Sequence, residues 1–186
     1  MPRLLIESVD IADGNVREEL VETTPEDDAF YADIRDLIAK LPDSDEVTIL
    51  ILRAHLVIEQ LVIRITESLV RNPEHLQKAT RLHFSTRLIF LRSLAKPLMH
   101  ADASYWRSLE SLNGMRNNLA HKLDAPSFES SVDTFIAETA SILQLSFRPG
   151  FKGLHRTSKL KRCLEGLCKF TAGILAATWQ ERNHGA

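Results

Sequence analysis

From Val47 to Ile65 the chain is apolar almost without interruption: Val47, Ile49 to Leu52, Leu56 to Ile58, Leu61 to Ile63, and Ile65. Nineteen residues without a turn signal are too many for one strand. The stretch therefore predicts a helix over about 45–71, apolar around most of its circumference and so surrounded by other helices. Asn72-Pro73 ends it, because a residue before proline is pushed out of the α region. A helix over about 74–96 follows, with Leu82, Leu88, Ile89, Leu91 and Leu94 as its apolar set and Pro97 as its stop. Asp102 can cap a helix over about 103–121, "DAPS" breaks the chain, and a further helix covers about 127–145. The loop "RPGFKG" leads to a last helix over about 156–181, basic at its start and apolar at "AGILAATW".

Ahead of the long apolar run, a short helix over about 25–40 is marked by Thr24 as N-cap and Pro25 at the first helical position, with Glu26 to Asp28 at the positive end of the dipole. Residues 1–23 show no strong period and read as an acidic arm. The pattern predicts an all-α, antiparallel helical bundle with short connections. Its expected division is an acidic N-terminal arm and short helix over 1–44 and a helical domain over 45–186.

Composition narrows the class. A chain of 186 residues, 44% hydrophobic, can bury a substantial core, and seven Gly and seven Pro argue against a turn-rich sandwich. Cys163 and Cys168, the two cysteines, form neither a zinc framework nor a secreted disulfide scaffold. They read as buried free thiols, which suits a reducing compartment. "MPRLLIESVD" lacks the pattern of a signal peptide, and no apolar run reaches the roughly eighteen residues of a membrane span. The expectation is a cytoplasmic protein with no membrane partner and no cofactor. The net charge of −2 hides an asymmetry: residues 1–46 carry a net −10 and residues 47–186 a net +8. A cationic body suits a polyanionic partner.

The helix over 103–121 carries the main functional lead, "LNGMRNNLAHKL" at 112–123. With Leu112 at zero on a wheel of about 100° per residue, Leu119, Leu109 and Met115 form a stripe within about 60° of it. Arg116 falls at about 40°, inside that stripe, where an arginine must be paired or line a polar cavity. Asn117 and His121 are four apart, so the amide can reach the imidazole. Arg116 and His121 lie about 140° apart and converge on one ligand if the arginine reaches across or the helix loosens at "HKLDAP". On the long apolar helix, His55 and Glu59 share a face amid aliphatic neighbours. They read as a supporting His–Glu pair whose carboxylate could partner Arg116 or His121.

Arg116-Asn117-x-x-x-His121 resembles the signature of the HEPN superfamily, in which Arg and a polar residue precede His by about four to six intervening positions. With Asn required after Arg, chance gives roughly 0.02 such matches in a chain of this composition. The order of the surroundings also resembles that family over about residues 45–145: "ILILRAHLVIEQLVIRI", then "HFSTRLIFLRSL", then "YWRSLESLNGMRNNLAHKL". The mannitol-repressor-like members, which share the bundle, are similar as well. The resemblance implies a metal-independent endoribonuclease, a toxin or antiphage and stress effector, with Arg116, Asn117 and His121 as catalytic residues and no metal or cofactor. It also implies a homodimer that brings two motifs into one cleft. An antitoxin or regulatory protein is the expected further partner. The alternative is a non-catalytic HEPN-fold regulator or adaptor.

The residue chemistry suits RNA cleavage. RNA carries its own nucleophile, the 2′-OH. The protein must supply a proton-transfer group near neutral pH, which His121 offers, and a planar cation for the crowded phosphorane, which Arg116 offers. The run "RPGFKGLHRTSKLKR" at 148–162 holds Arg148, Lys152, Arg156, Lys159, Lys161 and Arg162 without an acid, with Phe147 and Phe151 interleaved. Together with Lys122, these cations are the expected RNA-binding set, tracking a backbone while an aromatic ring stacks a base.

Overall fold

A computed structural model describes the backbone of residues 3–9, 16–22, 24–78, 82–94, 103–121 and 126–184, with side chains described over 24–76, 82–94, 103–119 and 128–184. The chain divides into two compact units, residues 1–37 and 38–186. In the first, strands β1 (Arg3–Val9) and β2 (Val16–Glu22) pair antiparallel, with Leu5 opposite Leu20 and Val9 opposite Val16. The expected arm without regular structure is thus a hairpin. The sequence carried a weak signal for it: two short runs whose apolar residues, Leu4 and Val21, Leu5 and Leu20, Val9 and Val16, meet across the pair. Helix α1 (Pro25–Ile38) follows. Its start is a reciprocal cap: Thr24 Oγ1 accepts from the Asp27 amide, and the Asp27 carboxylate accepts from the Thr24 amide and hydroxyl.

The second unit is all-α, as the apolar periodicity predicts. Helix α2 (Val47–Leu69) buries Ile51, Ala54, Ile58, Leu61, Val62 and Ile65 completely. Its termination before Pro73 is extended at Val70, and Arg182 donates to the carbonyls of Glu67 and Ser68 at its C-terminal end. The single helix expected over 74–96 is two: α3 (Pro73–Lys78) and α4 (Phe84–Leu94). The reason lies in the distribution of apolar groups. Phe84, Leu88 and Leu91 are buried on α4, whereas "PEHLQK" offers Leu76 alone and so has little to anchor it to the same core face.

Helix α5 (Ala103–His121) and helix α6 (Pro126–Ile142) pack on each other. The caps expected at Asp102 and the stop at Pro97 lie outside the described residues. A left-handed Gln144 ends α6, a 3₁₀ turn spans Leu145–Phe147, and Gly150, with φ +83°, closes the loop that leads to α7 (Arg156–His184). α2 packs against α7, α4 and α5, and α6 against α7. The polar groups inside are matched: Thr171 donates its one proton to the Leu167 carbonyl, so the buried Tyr105 hydroxyl donates to Thr171, joining α5 to α7. Cys163 and Cys168 are buried and free, as expected, and burial pushes both thiols up to about 12. Among the described residues no helix is long and apolar enough to cross a membrane.

α2 is not buried all round: Ile49, Leu52 and Leu56 remain exposed at helical spacing. This makes two neighbouring positions diagnostic. Ile58→Ala, at a fully buried site, should cost about 2–5 kcal/mol. Leu56→Ala, at a side chain 54% exposed, should stay within about 0.5 kcal/mol. Urea unfolding followed by circular dichroism reads both.

Candidate functional site

Two helical faces and the start of a third helix enclose a polar cleft of about 440 Å³. α5 contributes Asn113, Arg116 and Asn117, an i, i+3, i+4 set on one face. α2 contributes His55 and Glu59. The third wall is the entry to α4, including His83 and Phe84. It is fixed by hydrogen bonds from the Arg87 amide to the His83 carbonyl and from Arg87 Nε to the Leu82 carbonyl.

His55 is the buried anchor of this cleft. It is 4% exposed, its ring lies 4.8 Å from that of Phe84, and its Nε2 donates to Asn113 Oδ1 at 3.1 Å. The expected His55–Glu59 pair is therefore replaced by a His55–Asn113 hydrogen bond across two helices. Glu59 stands one turn further along α2, half-buried at the cleft, and acts on the imidazole through space. Burial is the main cause holding the His55 pKa below that of an ordinary histidine; Arg116 pushes the same way, while the Asn113 hydrogen bond and Glu59 oppose. Among the described residues no ion pair joins Glu59 to Arg116.

Arg116 is exposed rather than buried in the apolar stripe. Leu109, Leu112 and Met115 are buried, as the wheel predicts, whereas Leu119, which the wheel places in the same buried stripe, is half-buried. Next to Met115, however, the neighbouring helices part to form the cleft, and Arg116 faces that opening. Its Nη1 donates to Asn117 Oδ1 at 3.1 Å, so the amide orients the guanidinium. α5 ends at His121, where "HKLDAP" places the end of a helix. The side chain of His121, and Lys122, lie outside the described residues. The cleft thus brings His55, Glu59, Arg116 and Asn117 together, and adds two residues that the sequence reading passed over. Asn113 carried a signal, a polar residue three before Arg116 on the same face. His83 carried little, because its place beside Phe84 depends on the break between α3 and α4.

The expected RNA-binding cations divide. Arg156 is held by Asp133 and by the carboxylate and carbonyl of Glu129 on α6, and Lys161 by Asp43. Lys152 is exposed and Lys159 half-buried; neither lines this cleft. Arg148 and Arg162 line a second cleft between the α6–α7 connection and α7. Phe151 is buried in the core and Phe147 is 85% exposed.

Compared with known proteins, the chain matches no family model, no curated protein and no solved structure.

The depressed His55 pKa has a defined sign. Folding favours the neutral ring, so the contribution to stability is present above the unfolded value, about 6.5, and is lost as pH falls through the lower folded value. Thermal melts at about pH 7.5 and about pH 5.5 should show a larger loss on acidification for wild type than for His55→Gln. Equal losses would place the acid sensitivity elsewhere.

Proposed function

We propose that this protein is a metal-independent endoribonuclease of the HEPN type, a toxin or antiphage and stress effector, with the Arg116 cleft as its active site. One observation carries the reading: Arg116, oriented by Asn117, opens into a polar cleft that also holds histidines. In the reaction the 2′-oxygen of RNA attacks the adjacent phosphorus, a base takes the 2′-OH proton, and the 5′-oxygen leaves with a proton from an acid. The products are a 2′,3′-cyclic phosphate and a 5′-OH. Arg116 forks onto the phosphorane oxygens. His121 takes one proton-transfer role by the motif resemblance, and we assign the other to His83, an exposed residue of the cleft lining. His55, buried and committed to Asn113, positions α5 instead. A homodimer would set a second His121 beside the first. The runner-up reading is a non-catalytic HEPN-fold regulator or adaptor, in which Arg116, held by Asn117, would grip an anion without any proton transfer.

Gel assays on varied RNAs decide between them. Arg116→Ala and His121→Ala should each cut the cleavage rate by about 10²–10⁴, and the double variant by little more, because both act on one transition state. Arg116→Lys should fail as well, having lost the planar fork. His83→Ala should slow cleavage at least about tenfold, and EDTA should change nothing. Wild type leaving all RNAs intact, or His121→Ala cutting as well as wild type, would remove the enzyme reading and leave the regulator. Light scattering at micromolar concentration should give the mass of two chains; a single-chain mass would remove the shared-cleft arrangement.

A further inference from the structure

A second cleft of about 450 Å³ lies between the α6–α7 connection and α7, a size usual for small-ligand sites. Its floor is built by the left-handed turn at Gln144, which sets Leu143 and Leu145 against α7. Gly166 permits that approach: a Cβ there would meet Leu143 Cδ1 at 2.6 Å. On α7, Arg162, Lys169 and Phe170 line the cleft from one face at i, i+7 and i+8, and Arg148 faces them from the connection.

Two features separate this place from an ordinary charged surface. The first is the state of its cations. Arg156 and Lys161 belong to the same basic run and are neutralised by Glu129, Asp133 and Asp43. Arg148, Arg162 and Lys169 are exposed, and among the described residues no acidic side chain is in ion-pair distance of any of them. Glu165, half-buried, is the acid of the lining, which leaves a formal surplus of two positive charges. The second feature is Phe170. Its ring stays 42% exposed, yet it is braced from behind by Tyr105, with ring centroids 5.0 Å apart. Tyr105 is itself fully buried and anchored through its hydroxyl to Thr171. A fixed aromatic surface beside unpaired cations matches the chemistry of a nucleotide, which presents a flat base next to phosphate.

We infer that this cleft is a second nucleic-acid site, binding a nucleotide of single-stranded RNA with its base on Phe170 and its phosphates on Arg148, Arg162 and Lys169. The inference deepens the ribonuclease reading by giving the substrate a hold away from the Arg116 cleft, and it rests on that reading only for the identity of the strand. α5 links the two places: Tyr105, behind Phe170, and Asn113, in the first cleft, are about 12 Å apart along the helix axis.

The test measures binding and cleavage separately. Binding uses full-length His121→Ala protein and a fluorescein-labelled single-stranded RNA of about 12 nucleotides, read by anisotropy over a range of salt. Adding Arg162→Glu with Lys169→Glu should weaken binding at least about tenfold at low salt and lower the slope of log Kd against log salt by about 1.4, two single-strand phosphate contacts. Phe170→Leu, which keeps an apolar side chain against Tyr105, should weaken binding about tenfold with little change in slope. Circular-dichroism melts confirm that each variant folds. Variants that bind like the parent overturn the second site, while cleavage by wild type on a gel keeps the ribonuclease reading alive. Cleft-dependent binding by a wild type that cuts no RNA supports the site and removes the ribonuclease. Phe170-dependent binding of adenosine monophosphate without binding of the RNA makes the occupant a free nucleotide and overturns the RNA assignment, as does a parent protein that binds neither.

Discussion

The hydrogen bond from His55 Nε2 to Asn113 Oδ1 is the contact on which the first cleft depends. α2 is apolar on most sides, and a histidine in its buried face must find a partner or incur the cost of an unsatisfied polar group, about 1–3 kcal/mol. Asn113 supplies it from α5, at a position flanking the buried Leu112. The bond therefore fixes the register of α5 against α2. Because Arg116 and Asn117 follow Asn113 by three and four residues, the same register turns their face toward His55, Glu59 and the start of α4. One satisfied polar group thus aligns a set of polar groups at the surface.

Much of the helical unit was legible because its signals are local and strong. The long apolar run was too long for one strand, and Pro73 and the loop "RPGFKG" punctuated the chain where the structure does. Thr24 and Pro25 marked the start of α1, and the capping hydrogen bonds from Thr24 and Asp27 follow from their side-chain chemistry. The break between α3 and α4 was harder to see. Nothing in "PEHLQKATRLHF" forbids a helix; the division reflects where Phe84 finds a buried place beside His55, a tertiary fact. The N-terminal hairpin was missed because its strands mix charged and apolar residues without clean alternation.

The cleft was legible in part, for the same kind of reason. Helical spacing identifies residues that share a face, so Asn117 with His121 and His55 with Glu59 could be paired within their helices. It cannot say which face meets which. That is why His55 was assigned to Glu59, its neighbour along α2, when its hydrogen bond crosses to α5. A wheel also treats every position on an apolar arc as buried. Arg116 lies on such an arc and is exposed, because burial depends on a neighbour being present over that turn, and there the neighbours separate into a cleft.

Burial and exposure then divide the polar residues into two kinds of work. His55 sits where desolvation holds its ring neutral, and Arg116 nearby reinforces that preference against the pull of Glu59. A ring so held, with one nitrogen committed to Asn113, is suited to positioning and poorly suited to carrying protons to and from a substrate. Arg116, Asn117 and His83 stand at the exposed side of the same cleft, where water and a ligand can reach them. The cations of the basic run divide by the same logic in a different setting. Those with acids opposite, Arg156 and Lys161, hold α7 to α6 and to the segment before α2. Arg148 and Arg162, from the same run, face a cavity instead. In both clefts the composition of the sequence names the charged residues, and the packing of neighbouring helices decides which of them are spent on the fold and which are left to meet something else.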